Sequence, residues 1–309
     1  MLSRLPAFLI GIARALKKLA DTIHRVGLIA NTAKPATHEA LHKAARLIAA
    51  SGRTVLTEAG TAELARLRCE MCPDASALAR ASDLLLVFGG DGTMLRAARE
   101  VAGSLTPILG VKFGGLGFLT AVSYPQLAEA LRQVWAGSFA LESRPLIKVS
   151  GEARGRTIGG QALNDFVISR GSGSRMIELE VSVNGELLTH YFCDGFIISS
   201  PTGSTAYSLA AGGAIVSPEA EVFTLTPICP HTLSNRSVIV SLSATLQVRA
   251  HSQRPDTILS ADGELLGELH AGESVTIRRS RRTVRLVRLQ GSTFFETLRQ
   301  KLNWSGTSV

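Results

Sequence analysis

Two glycine turns in this chain carry residue types suited to phosphate chemistry. The first follows the apolar run Leu84-Leu85-Leu86-Val87-Phe88 and reads Gly89-Gly90-Asp91-Gly92-Thr93, with a helical pattern from Met94 to Val101. The apolar run has the form of a buried parallel strand. A strand that bends through glycines into a helix gathers anions, because the first N–H groups of the helix lack partners and the glycines allow close approach. Asp91 is out of place in such a turn unless it holds a metal or takes a proton. Its other reading is a turn or helix-cap residue, and the turn alone leaves both open. The second turn, Gly114-Gly115-Leu116-Gly117-Phe118, follows a strand-like run from Pro107 to Val111. Neither G-x-x-x-x-G-K-[ST] nor a G-x-G-x-x-G after the first strand is present, so the chain carries neither a P-loop nor the usual dinucleotide fingerprint.

The elements around these turns alternate. Arg25 to Ala30 reads as the first buried strand, Thr37 as the cap of a helix from His38 to Ala50 that Gly52 ends, and Val55 to Thr57 as a second strand. Helical pieces broken by Pro73 fill residues 61–81, and another helix covers 125–136. Strands alternating with helices predict a parallel sheet covered on both faces, with ligands beyond the carboxyl ends of its strands. Near residue 140 the pattern changes to strand-like runs separated by turns. These runs are Ile147–Val149, Phe166–Ser169, Ile177–Val183, Gly195–Ser199, Val238–Val240, Thr245–Ala250, Thr257–Leu259, Val275–Ile277 and Val284–Leu289. Asn184-Gly185 marks a hairpin. A helical insert is expected from Ser204 to Ala211 and a final helix from Phe294 to Leu302. The expected fold is thus α/β + β: a Rossmann-like α/β domain over 24–142, joined by 291–309, and a mostly antiparallel, β-sandwich-like domain over 143–290. Residues 1–23 read as a basic amphipathic extension outside the fold.

Composition narrows the partners. The 309 residues carry a net charge of +8, which favours anionic ligands, while only 5% aromatic residues leave few platforms for single-stranded nucleic acid. Small polyanions are therefore expected, and neither nucleic acid nor membrane. The apolar stretch near the start is too short to span a bilayer, so a cytoplasmic protein is expected. Of four cysteines, only Cys69 and Cys72 have metal or redox spacing, with no second pair to complete a zinc site; no dedicated metal site is expected. Arg278, Arg279, Arg281, Arg282, Arg285 and Arg288 form the densest basic run, read as a charged hairpin or edge strand that blocks unwanted pairing.

Four spaced blocks carry a resemblance: Gly89 to Thr93; Gly115 to Thr120; Leu163-Asn164-Asp165; and Asp194 to Leu209, which includes Pro201-Thr202-Gly203-Ser204-Thr205-Ala206-Tyr207 and is followed by Gly212-Gly213. Together they resemble the bacterial NAD kinases from about residue 25 to the C-terminus. The first block alone is shared with diacylglycerol, sphingosine and phosphofructokinase relatives. The resemblance implies transfer of the γ-phosphoryl of ATP to the 2′-hydroxyl of the adenosine ribose of NAD, with Asp91 as general base. Gly89, Gly90, Gly92 and Thr93 are implied at the phosphates of ATP, and Arg96 is a candidate to neutralise phosphate by position. Asp91, Gly92, Asn164, Asp165, Arg175, Asp194, Thr205, Ala206, Tyr207, Ser208, Leu209, Ala210 and Glu264 are implied for NAD. Lys112 is a further candidate to neutralise phosphate by position. Mg²⁺, or another divalent cation, is implied because ATP brings it, and relatives assemble as dimers or tetramers. Many relatives have Glu at Asp165, Gln at Glu264 and Pro at Ala214, and some have a basic residue at Phe192. The alternatives are a lipid kinase that shares the glycine turn and a non-catalytic dinucleotide sensor.

Overall fold

The computed structural model describes residues 7–31, 36–115, 117–171, 175–231, 236–252 and 257–304. The chain opens with α1 (Ala7–Thr22), β1 (Arg25–Ala30), α2 (Ala36–Ala50), β2 (Thr54–Glu58), α3 (Ala59–Ala65), β3 (Glu70–Cys72) and α4 (Ala75–Ala81). Next come β4 (Leu84–Phe88), α5 (Asp91–Glu100), β5 (Ile108–Lys112), β6 (Val122–Ser123), α6 (Leu127–Ala136) and β7 (Phe139–Ala153). Strands then dominate: β8 (Arg156–Ala162), β9 (Asp165–Arg170), β10 (Ile177–Val183), β11 (Glu186–Cys193) and β12 (Gly195–Ser199). After the short α7 (Tyr207–Ala210) follow β13 (Val222–Ile228), β14 (Val238–Ser241), β15 (Leu246–Ala250), β16 (Thr257–Ala261), β17 (Glu264–Leu269), β18 (Ser274–Leu289) and α8 (Phe294–Leu302). Two units result, Met1–Ser143 with Val284–Val309, and Arg144–Thr283, so the chain passes between them within β7 and within β18. Among the described residues, no helix is long and apolar enough to cross a membrane.

The first unit is built on a parallel sheet in the order β18-β5-β4-β1-β2-β3. Every residue of β4 is buried, as expected for a strand with helices on both faces. Asp83 sets the start of β1 beside β4: its carboxylate accepts the N–H groups of His24 and Arg25, each at 2.8 Å. Leu28, Leu86, Leu109 and Val111 from the sheet pack with Leu41, Ile48, Leu131 and Val134 from the helices in one core.

Three expectations are corrected here. Residues 1–23 were expected outside the fold, yet Ala20 and Ile23 are buried in this core and Lys17 Nζ donates to the Trp135 carbonyl of α6. An apolar stripe that finds a helix to pack on need not remain an extension. Thr37 lies inside α2 and not ahead of it, buried and with no partner for its hydroxyl among the described residues. The three-residue β3, hidden in sequence by its brevity, pairs parallel with β2 at the sheet edge.

The second unit is antiparallel. One sheet runs β14-β13-β12-β9-β16-β17. A second set runs β11-β10-β15-β18, and β7 pairs with both β18 and β8. Phe166, Phe196, Phe223 and Leu225 of the first face Leu179, Val181, Val248 and Ile277 of the second in one buried cluster, the arrangement of a sandwich. The predicted Asn184-Gly185 turn joins β10 to β11, with both residues at positive φ (54° and 87°), as a two-residue hairpin of this hand requires. Strands β8, β11, β13 and β17 were not expected. Glycines interrupt β8 and β17, and Pro227 sits within β13, and both residue types weaken the strand signal. The arginine run belongs to the long β18, which pairs with β15 over residues 274–277, ahead of the run, with β5 at Leu286, and with β7. Arg279 pairs with Glu221 at 2.7 Å and Arg288 with Glu142.

Candidate active site

In the first unit the end of β4 delivers Gly89 and Gly90 to the head of α5, where Gly90 is the N-cap and Asp91 the first helical residue. Thr93 is buried with its side chain packed directly over Gly89. Gly92 is exposed. The Asp91 carboxylate turns inward and lies against Gly117 of the second glycine turn: a Cβ on Gly117 would sit 2.0 Å from Asp91 Oδ1. A side chain at 117 would displace the Asp91 carboxylate, so the two glycine turns interlock in this way because residue 117 lacks one. The turn is held in place by the Gly117 N–H donating to Thr120 Oγ1 at 2.8 Å, and Phe118 rests on the Phe294 ring of α8. The Phe118 N–H donates to Asp91 Oδ2 at 3.1 Å. Asp91 Oδ1 is buried and has no hydrogen-bond partner among the described residues. A buried carboxylate oxygen without a donor is destabilising, and such an oxygen is available to a ligand's proton or to a cation.

Gly92, Thr93 and Arg96 share a pocket of about 210 Å³ with Asn31. Arg96 Nη2 donates to the Ala30 carbonyl at 3.2 Å, which holds the guanidinium by the end of β1. Lys112 ends β5. Asn31 was missed in the sequence; the signal was its place just past the carboxyl end of a buried parallel strand.

In the second unit, Asn164 and Asp165 lie at the start of β9, clamped on several sides. Asp262, in the β16–β17 turn, accepts the N–H groups of Leu163 (2.9 Å), Asn164 (2.8 Å) and Asp165 (3.2 Å). Ser200 takes both adjoining carbonyls, its N–H donating to Asn164 O at 2.8 Å and its hydroxyl to Leu163 O at 2.5 Å. Gly203 lies against the Asn164 carbonyl, where a Cβ would stand 2.3 Å from that oxygen. Arg144, itself 3% exposed, donates to Thr202 Oγ1 at 3.4 Å. Asp262, Ser200 and Arg144 were not singled out in the sequence. Asp262 was legible only as a turn residue before Gly263, because its role depends on a strand pairing distant in sequence.

Asp165 is 4% exposed. Burial, with the nearby Asp262 charge adding to it, pushes its carboxyl up to about 7. It therefore exchanges a proton near neutrality.

The expected helix Ser204–Ala211 is a 3₁₀ turn, Thr202–Thr205, followed by the four-residue α7. Ser208 is buried and its hydroxyl meets Thr226 Oγ1 at 3.0 Å, so it braces the segment. Tyr207 is 48% exposed, which excludes a core role within this chain. Thr205, Ala206, Leu209 and Ala210 follow the same short segment. Glu264, exposed, begins β17 beside the Asp262 turn. These residues share one end of the β9–β12 pair. Asp194 does not: Ser199 is opposite Asp165 and Gly195 opposite Ser169, which puts Asp194 a strand length away from Asp165, roughly 17 Å at ~3.4 Å per residue. There it pairs with Arg170 at 2.9 Å. Arg175 is exposed, next to residues outside the described set.

Comparison with known proteins assigns this architecture. Residues 26–139 match the ATP-NAD kinase N-terminal domain and residues 163–289 the ATP-NAD kinase C-terminal domain. The NAD kinase of Moorella thermoacetica is 40% identical over 285 residues, 92% of this chain and 91% of that protein. The NAD kinase of Geobacter sulfurreducens is 44% identical over 224 residues, 72% of this chain and 79% of that one. Yeast NADH kinase, solved with NADH, superposes with a TM-score of 0.85 at 25% identity, covering 93% of this chain and 89% of that one. An Archaeoglobus fulgidus NAD kinase, solved with ATP, shares the fold with a TM-score of 0.70 at 24% identity, covering 91% and 100%. With both halves matched and close relatives along most of its length, the chain belongs to the NAD kinase family, phosphotransferases that phosphorylate NAD with ATP to give NADP.

Proposed function

We propose that the family reaction runs in this chain with Asp91 as the general base. The observation that carries the reading is the buried Asp91 Oδ1 with no partner among the described residues, at the head of a helix whose glycine turn is open to phosphate. A ribose hydroxyl attacks poorly until its proton is removed during the attack. In the proposed step the 2′-oxygen forms a bond to the γ-phosphorus. The bond from that phosphorus to the β–γ bridging oxygen breaks, and ADP leaves with the electron pair. The hydroxyl proton passes to Asp91 Oδ1. The Phe118 N–H holds the other oxygen, so the carboxylate is oriented before substrate arrives. Gly89, Gly90, Gly92 and Thr93 let the α5 N-terminus meet phosphate, with Arg96 as a nearby cation. The rest is positioning, which is most of what phosphoryl transfer asks of a protein.

Asn164 and Asp165 are assigned to the ribose hydroxyls of NAD, and Thr205 to Ala210 with Glu264 to the neighbouring surface, with Tyr207 offering a ring face. The triple clamp from Asp262 supports this, since it fixes the backbone that carries both residues. Asp194 and Arg175 take a contact with NAD, if any, apart from that group. A divalent cation would be held chiefly by the ATP phosphates and water, since Mg²⁺ favours oxygen ligands, keeps several waters and needs few protein carboxylates. When bound on ATP it withdraws charge from the phosphates.

The lipid-kinase alternative gives way to the family match over both halves. The sensor alternative is decided by turnover. Asp91→Asn is expected to lower kcat for NADP formation by about 10²–10⁴-fold with little change in NAD affinity, because a base acts mainly in the transition state. Full turnover in that variant would remove Asp91 as the base, and an absence of NADP formation by the wild type would leave only the sensor.

A dimer or tetramer belongs to the same reading, supported by Ile239 and Leu265 exposed on the two edge strands of the six-stranded sheet. Sedimentation velocity should give a species of two or four chains, and a monomer at micromolar concentration would remove the proposal.

Asp165 adds a pH test. Its folded value lies above the unfolded one, so it contributes stability that is complete below the ordinary carboxylate range and lost as pH rises to about 7. Asp165→Asn should therefore raise the thermal midpoint of the apoprotein at pH 8 relative to wild type, with no such gain at pH 4. The same variant should weaken NAD binding at pH 8. An equal shift at both pH values would show that the buried charge is not the cause.

A further inference from the structure

The outer strands of the second unit bring together three side chains that phosphoryl transfer does not use. Glu180 on β10 lies directly opposite His190 on β11 and directly opposite Arg249 on β15. His251 follows Arg249 by two residues and so returns to the same face. One ligand atom from each of Glu180, His190 and His251 lies within 4.8 Å of the others, the one such group among the described residues.

The distances suit a metal ion. Donors at 2.0–2.1 Å around a tetrahedral ion stand roughly 3.3 Å apart. Glu180 Oε2 is 3.3 Å from His251 Nε2 and 3.9 Å from His190 Nε2, so small side-chain rotations close the set. Arg249 Nε lies 3.8 Å from the other carboxylate oxygen, Oε1. That contact orients the carboxylate and leaves Oε2 for an ion, as outer partners of metal ligands do. All three side chains are partly exposed, at 29% for Glu180, 43% for His190 and 35% for His251, so remaining positions open to water. Two imidazoles and a carboxylate form a set for zinc and its borderline neighbours, not for Mg²⁺.

We propose that Glu180, His190 and His251 form a surface site for a zinc-type divalent ion, completed by water. Because β11 is the edge strand of its sheet, an ion held there ties the edge to β10 and β15 and stabilises the unit by binding only the folded state. The site is separate from the catalytic residues, so its failure would leave the kinase assignment untouched.

The test uses the full-length chain, stripped with chelator and titrated with Co²⁺ as an optical probe. Wild type is compared with His190→Ala, with His251→Ala and with Cys69→Ser/Cys72→Ser. Wild type and the cysteine variant should take up one equivalent, with a visible spectrum free of thiolate-to-metal charge transfer. Each histidine variant should bind at least about tenfold more weakly while still forming NADP, which shows that it is folded. Zinc should raise the thermal midpoint of wild type and not of the histidine variants. The absence of saturable uptake, uptake unchanged in both histidine variants, or a charge-transfer band that disappears in the cysteine variant would overturn the proposal.

Discussion

The contact on which the rest depends is the Asp91 carboxylate pressed against Gly117, at a separation that a side-chain carbon there could share only by displacing the carboxylate. It joins two turns that leave adjacent parallel strands, β4 and β5. One oxygen is fixed by the Phe118 N–H and the other is buried with no partner among the described residues. Burying an acceptor without a donor opposes folding, so the surroundings must impose it. The fully buried β4, the Thr120 bond to Gly117 and the Phe294 ring under Phe118 do so. The turn thereby keeps one carboxylate oxygen whose hydrogen-bonding capacity the described residues do not use.

The second unit applies the same principle by other means. Asp262 spends its carboxylate on three backbone donors, which fixes Asn164 and Asp165. Asp165 is then left buried beside a negative neighbour, with its proton held until about neutral pH. A group that destabilises the fold when ionised is a familiar feature of binding sites, where local strain is tolerated for function.

Much of this was legible in the sequence, and the limits have physical causes. β1, β10, β12 and α8 begin and end at the residues that apolar runs, hairpin glycines and caps indicated. The glycine-aspartate turn marked the head of α5, and the spaced blocks gave the family. Hidden were elements whose signal is interrupted by glycine or proline, as in β8, β13 and β17, or too short to register, as in β3. Also hidden were roles made by long-range pairing. Asp262 clamps residues about a hundred positions earlier, and Asp194 falls at the opposite end of a strand pair from Asp165. The arginine run hid the continuity of β18, which spans Ser274–Leu289 where the apolar runs indicated two separate strands.

The interlock of the two turns is tested most directly by a double-mutant cycle on the chemical step. Single-turnover phosphoryl transfer would be measured in wild type, Gly117→Ala, Asp91→Asn and the double variant, each saturated with NAD. If Gly117 acts by seating the Asp91 carboxylate, each single change slows the step, and the double variant is no slower than Asp91→Asn alone. Losses that multiply, or a Gly117→Ala variant that transfers phosphate at the wild-type rate, would contradict it.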